Sequence, residues 1–229
     1  MKLKAYSFFL TLAAVSMMLA PKHALAQDTF EGTIHYSVGI PAMGDDKMAM
    51  STNIKGQKVE IDMDLGAMGG QHIYMDKASH TLTIIMDGMK TGYSMDIPAE
   101  TDSTVDDGST LTATGKTDNI NGYKAEEYLA TSKGVNMDLW VTADLPANVR
   151  EAMVNTVKNN PQSGKMKALR GLVAKGLAPI RTTIVKGDQT VATVDLVKIE
   201  PKSLSDAIFT PPSNITVTKM DPKMMGGMH

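Results

Sequence analysis

The chain has 229 residues, of which 23 are basic and 25 are acidic, so its formal charge at neutral pH is −2. This balance, without any basic run, argues against nucleic acid as a partner because phosphate binding needs clustered Lys and Arg. The sequence contains no cysteine, which excludes disulfides and a lipid anchor on a cysteine, and it contains 19 methionines.

The first 26 residues have the pattern of a processing signal. Lys2 and Lys4 precede an apolar run over residues 5–20, and Ala24 and Ala26 supply the small side chains that a signal peptidase reads. No later segment reaches the ~18 consecutive apolar residues of a membrane span. We therefore expect cleavage after Ala26, a periplasmic location and no membrane span in the mature chain. An uncleaved anchor is the alternative interpretation.

Strand patterns dominate the region after the signal. Residues 30–38 alternate between apolar and polar side chains, the period of a half-buried strand. Two further strands flank a turn at Gly56, residues 71–76 form another, and residues 81–97 form a hairpin that turns near Asp87-Gly88. The sequence thus predicts a series of antiparallel strands.

The polar, acidic stretch at 101–109 predicts a loop, after which strands resume. Turns at Asn121-Gly122 and at Gly134 separate the next strands. Later, a hairpin around Gly187-Asp188 and a short strand within residues 214–220 complete the β pattern.

The period changes after Asp144, a candidate N-cap. Val149, Met153 and Val157 lie four residues apart and predict a helix that Pro161 ends. A second helix is predicted over residues 164–176, with Ser163 as its candidate cap. The whole pattern predicts a mainly β protein with a helical insertion (α+β), built as a barrel or a curved open sheet. We expect one domain over 27–220 and a disordered, dispensable tail at 221–229.

Strand alternation places many methionines on apolar faces. Methionine is unbranched and polarizable, so it suits a surface that accepts variable apolar partners. An ordinary packed core in which methionine replaces leucine is the alternative, since such exchanges are tolerated. Trp140 alternates away from Met137 and is a candidate for the cavity rim. The candidate ligand-cavity residues are Met48, Met50, Met63, Met75, Met86, Met95 and Met137.

No catalytic pattern stands out: the sequence lacks H-E-x-x-H, G-x-S-x-G and P-loop motifs, and His35 falls on the polar face of its strand, where we expect it to be solvated. We therefore expect neither an enzyme nor a cofactor. Thioethers favour Cu(I), so copper binding by the tail is an alternative function, with Met224, Met225, Met228 and His229 as ligands. A structural or interaction module without ligand is a third possibility.

Several segments resemble an uncharacterised family of exported bacterial proteins, domain of unknown function 4412. They are "FEGTIHYSV", "IKGQKVEIDM", "GKTDNINGYKAEEYLAT", "MDLWVTADLP" and "IFTPPSNITV". Many relatives carry a cysteine where this chain has Ala125, so nothing that depends on that thiol carries over.

The family in turn looks like a relative of the periplasmic lipoprotein carriers LolA and LolB. The resemblance implies a curved antiparallel half-barrel in which two helices, here within residues 146–176, cover the concave face. With this fold, the methionine pattern leads us to expect binding of a lipid or another apolar or acylated ligand. Fold resemblance alone does not transfer the carriers' function.

Overall fold

The computed structural model describes residues 29–44, 46–66, 69–97, 108–132, 135–159 and 167–220. Twelve strands and two α-helices make up this part of the chain. The strands are β1 (Glu31–Gly39), β2 (Met48–Lys55), β3 (Lys58–Asp64), β4 (Gly70–Asp76), β5 (Thr81–Met86), β6 (Thr91–Asp96), β7 (Thr110–Ile120), β8 (Tyr123–Ser132), β9 (Val135–Thr142), β10 (Ala178–Lys186), β11 (Gln189–Pro201) and β12 (Thr216–Lys219). The helices are α1 (Ala147–Asn159) and α2 (Lys167–Ala174).

All twelve strands join one open sheet in the order β12-β6-β5-β4-β3-β2-β1-β11-β10-β9-β8-β7. Neighbouring strands are antiparallel except β12, which pairs with β6 in parallel. The predicted mainly β fold with a helical insertion is confirmed, as an open sheet rather than a closed barrel.

Chain connectivity favours curvature of this sheet. Strands β6 and β7 are consecutive in the chain but ten positions apart in the sheet. A flat sheet would separate them by ~48 Å, about the full reach of the connecting residues 97–109. Curling the sheet shortens this distance, as a half-barrel does.

The turns that join the strands follow the predicted chemistry. Asn121 and Gly122 both have positive φ, 53° and 86°, as a tight two-residue hairpin turn requires. Gly32 serves close packing instead, because a Cβ there would meet the Glu200 carbonyl oxygen of β11 and the Phe30 ring. A larger side chain at Gly32 would push β1 away from β11.

The predicted N-cap at Asp144 is wrong. The first turn of α1 is closed by the Arg150 amide, which donates to the Pro146 carbonyl over 3.0 Å, and the helix begins at Ala147. The Asp144 carboxylate instead accepts a hydrogen bond from the Lys124 amide at 3.1 Å. Asp144 therefore ties the β9 end to β8. Four other predicted features lie outside the described residues. They are the candidate cap Ser163, residues 101–107 of the predicted loop, the signal and the tail.

Two clusters of buried apolar side chains form the core. The larger one joins strands β1–β6 to α1 through residues such as Ile34, Ile54, Val149 and Met153. The smaller one joins β8 and β9 to α2, with Leu172 among Tyr128, Met137 and Leu139. Helix α1 packs on β10, and α2 packs on β7 and β8. The helix-bearing side of the sheet is called the helix face below.

The opposite face carries a crossing segment, residues 202–215, between β11 in the middle of the sheet and β12 at its edge. The Leu204 amide donates to Glu31 Oε1 over 2.7 Å, and Lys55 Nζ donates to the Leu204 carbonyl over 2.7 Å. Asp206 lies 3.3 Å from Lys55 Nζ and 3.8 Å from Lys58 Nζ. These contacts hold the segment across the ends of β1, β2 and β3.

The helices within the described residues all fall short of the length and hydropathy that a membrane span requires.

Candidate functional site

A row of uncharged side chains runs across the helix face from β1 to β6. The strand register places Tyr36 opposite Met50, and Met50 opposite Met63. The row continues through Gln71 to Met86. The Gln71 side-chain amide donates a hydrogen bond to the Met86 sulfur over 3.3 Å. The polar residue of this row is therefore bonded to a thioether. The three methionines are half-buried.

A second row lies nearer the ends of the same strands and is closed to solvent. Val59 pairs with Met75, Met75 with Leu82, and Leu82 with Met95. Met75 and Met95 are only 4% and 5% exposed and belong to the larger core cluster. These two methionines therefore act as core residues in the described structure.

The remaining two predicted methionines lie outside these two rows. Met48 lies opposite Val38 at the start of β2 and is half-buried. Met137 is buried in the smaller core cluster with Leu172 of α2. The fold thus gathers six of the seven predicted methionines on the β2–β6 half of the helix face and places Met137 elsewhere. Trp140 is half-buried and packs against the larger cluster.

A cavity of about 190 Å³ lies between α1 and the sheet. Met50 is the predicted methionine that lines it. Met153 and Thr156 of α1 close one side. Burial raises the pKa of the Tyr36 phenol, so this lining side chain is uncharged at neutral pH. Met153 was not among the predicted cavity residues, although its four-residue spacing from Val149 already indicated an inward position. The other apolar lining residues include Ile34, Ile54, Ile61, Ile180, Val194 and Leu196.

The opposite face holds a buried network of hydrogen-bonded side chains that the sequence pattern did not predict. Thr33 Oγ1 donates to Asn53 Oδ1 over 2.6 Å, and Asn53 Nδ2 donates to Glu60 Oε2 over 2.7 Å. Glu60 Oε1 then lies 3.3 Å from His72 Nδ1. Thr33 and Glu60 are 3% and 4% exposed. Their alternation in the sequence placed them on a polar face, but it contained no signal that this part of the face is buried.

His72 is surrounded by three carboxylates. Besides Glu60, Asp62 Oδ1 lies 3.5 Å from Nδ1 and Asp87 Oδ2 lies 3.2 Å from Nε2. Burial lowers the pKa of His72, but the hydrogen bonds to Glu60 and Asp87 and the nearby acidic charges outweigh it, so the pKa is raised. Only the imidazolium can donate from both ring nitrogens at once. Tyr74 stacks on this ring, with 6.3 Å between the ring centroids.

His35 was expected to be a solvated histidine. Its side chain is 36% exposed, and Nε2 lies 3.3 Å from Glu200 Oε2. Among the described residues, no group of three or more His, Asp or Glu side chains is arranged to hold a metal ion. The alternative copper ligands Met224, Met225, Met228 and His229 lie outside the described residues.

Comparison with known proteins places the chain in a family. The family model described as Domain of unknown function (DUF4412) matches residues 30–215, and the chain belongs to this family. The resemblance inferred from the sequence is thereby confirmed. A search of the curated proteins finds no significant match.

Solved structures with the same overall fold include an uncharacterised conserved protein from Thermus thermophilus. It is 11% identical, with a TM-score of 0.52, and the alignment covers 93% of this chain and 99% of that one. More distant likenesses are a LolA superfamily protein from Nitrosomonas europaea (13% identity, TM-score 0.35, 81% of this chain and 91% of that one) and PNGF-II (13% identity, TM-score 0.47, 87% of this chain and 32% of that one).

Proposed function

We propose that this DUF4412 family member is a non-enzymatic protein that binds an apolar or acylated ligand on its helix face. The observation that carries the proposal is the half-buried state of the Met50, Met63 and Met86 row. The helices pack on β7, β8 and β10, so this row lies beside the helical cover. An acyl chain laid along it would remove further apolar surface from water, which is favourable in proportion to the area buried.

The electrostatics of the face fit an uncharged ligand segment. Three successive rows across β1–β6 contain no charged side chain. They begin at Gly32, Ile34 and Tyr36 on β1 and run to Met95, Tyr93 and Thr91 on β6. A charged headgroup placed among them would lose its hydration without gaining a partner. We therefore expect the headgroup to stay at the rim and the chain to enter.

The cavity under α1 supplies an end point for such a chain. Its volume of about 190 Å³ is below the ~300–1,000 Å³ of typical small-molecule pockets. It fits the end of one acyl chain, with the remainder along the methionine row. Met153 and Met50 line it with unbranched thioether side chains, which adapt to chains of different shape better than branched residues do.

The proposed location is the periplasm. The charged start, the apolar run and the small residues before Gln27 support export with cleavage. An acyl-binding protein in this compartment would shield a chain that is poorly soluble in water. The proposal includes no catalytic step.

Native mass spectrometry of the protein, purified from its periplasm without detergent or denaturant, tests the proposal. We expect a fraction with the added mass of a lipid or fatty acid, and release of that mass by organic extraction. Bound copper that is lost on removing residues 221–229 would favour the alternative metal function. A mass that corresponds to the protein alone, together with no uptake of added fatty acid, would favour the third function, a structural or interaction module without ligand.

A further inference from the structure

A groove of about 610 Å³ lies on the face opposite the methionine row. It crosses four strands in the order β3, β2, β1 and β11. Its size is within the ~300–1,000 Å³ range of ligand pockets, and it shares only the lining residues Tyr36 and Met50 with the cavity beneath α1. Its lining residues are Ser37, Ala49, Ser51, Asp62, Asp64, Val197, Lys198 and Glu200, with His35, Lys47, Tyr36, Met48 and Met50.

The groove exists because small side chains lie between longer ones. One row of the register runs from Asp62 through Ser51 and His35 to Lys198. In the next row Ala49 lies opposite Ser37. Ser51, Ala49 and Ser37 leave a low floor, whereas β3 and β11 carry the walls.

One wall is acidic, and the other carries both signs of charge, Lys198 and Glu200. Asp62 and Asp64 form the acidic wall on β3, and Lys198 stands on β11 three strands away. Asp62 is 50% exposed and Lys198 is 62% exposed. Each already has one partner: His72 lies 3.5 Å from Asp62, and Lys198 donates to Glu200. That donation, with those of His35 and Lys202, lowers the pKa of Glu200 to about 2, so its charge persists in acid.

Val197 adds an apolar contact at the β11 wall. The register shifts between His35 and Tyr36, so that Lys198 and Leu196 face these two residues and Val197 is the extra residue on β11. Its side chain is 59% exposed beside the groove. A ligand that joins two charged ends by a short, partly apolar segment matches these features.

We propose that this groove binds short zwitterionic peptides, with the α-amino group at Asp62 and Asp64 and the α-carboxylate at Lys198. The walls are three strand spacings apart, ~14 Å. An extended peptide spans ~3.3–3.6 Å per residue, so the best fit is about four residues. Lys47, held 3.3 Å from Asp195, adds positive charge near the carboxylate end.

The test titrates alanine peptides of two to six residues into the full mature chain and follows the amide resonances of Ser37, Ala49 and Ser51 by NMR. We expect the affinity to be greatest near four residues. Acetylating the amino end or amidating the carboxyl end should each weaken binding about tenfold, because each removes one charge-assisted contact. Salt should weaken binding, since both walls are exposed.

Asp62→Asn and Lys198→Gln should each reproduce the loss caused by blocking the matching terminus. Asp64→Asn replaces the first variant if that protein does not fold. Lys219→Gln, an exposed lysine at the far edge of the sheet, is the matched control and should bind normally. Equal binding of blocked and free peptides, no optimum in length, or no shifts at about 10 mM peptide would overturn the proposal. Ala49→Trp should fill the groove and leave fatty-acid binding on the other face unchanged, which separates this inference from the proposed function.

Discussion

Met50 lies directly opposite Met63 in the β2–β3 pair, and Met50 also lines the cavity beneath α1. This one contact joins the enclosed part of the helix face to its half-buried part. From Met63 the row continues through Gln71 to Met86. The cavity and the methionine row therefore meet at Met50, and this junction is the physical basis of the proposed acyl site.

Filling the cavity should be tolerated. Met153 is 4% exposed and lines the space under α1. We expect Met153→Phe to leave the free energy of unfolding unchanged or to raise it, because the ring enters existing space. In a dense core the added bulk would cost ~1–3 kcal/mol. Urea denaturation measures the difference.

Met137→Phe is the control for that measurement. Met137 is also buried, but it packs in the smaller cluster against α2 and does not line the cavity. There the ring should cost the ~1–3 kcal/mol of overpacking. Equal destabilisation by the two substitutions would mean that the space beneath α1 cannot take a larger group.

Breaking the buried network of hydrogen-bonded side chains should lower the stability of the fold. Asn53 accepts a hydrogen bond from Thr33 and donates one to Glu60, and both partners are buried. Asn53→Ala removes the partners of Thr33 Oγ1 and Glu60 Oε2 and should lower the free energy of unfolding by ~1–3 kcal/mol. Asn136→Ala, at an exposed position on β9, should change it by less than ~0.5 kcal/mol. Similar urea midpoints for the two variants would contradict the network.

Stability should fall as pH rises through the pKa of His72. The folded-state pKa is above the unfolded value of ~6.5. The contribution is therefore complete below the unfolded pKa and is lost as pH rises past the folded one. Because His72 is partly exposed, we expect a loss below ~1 kcal/mol between about pH 6 and pH 8. The urea midpoint of the wild type should drop over this range more than that of His72→Gln; parallel curves would exclude the histidine as the cause.

Export should produce a defined amino terminus. We expect the small residues Ala24 and Ala26 to direct cleavage after position 26. Amino-terminal sequencing of the protein released by osmotic shock should begin at Gln27. Recovery of the uncleaved chain in the membrane fraction would instead support an anchor.

Local patterns in the sequence were sufficient to predict much of the fold. Alternation placed Met50 and Met63 on the same apolar face as their strand neighbours, and the register confirms that they meet. The four-residue spacing around Met153 predicted α1. The Asp144 cap was wrong because Leu145, which is 2% exposed, and Pro146 separate it from the first turn, and its carboxylate bonds to β8.

Long-range pairing was beyond these patterns. No local pattern predicts that β11 pairs with β1. That pairing nevertheless places Lys198 in the row of Asp62 and so creates the groove on the face opposite the methionine row. Alternation assigns a side chain to a face, but it does not show what covers that face.

Titration of a fluorescent fatty-acid probe tests the proposed acyl site directly. We expect saturable binding by the wild-type mature chain and about tenfold weaker binding by Met153→Phe, because the ring occupies the end point of the acyl chain. Met89→Phe should bind the probe as the wild type does, because the Met89 side chain is 60% exposed at the β5–β6 turn. Absence of binding by the wild type, or equal affinity of all three proteins, would contradict an acyl site on the helix face.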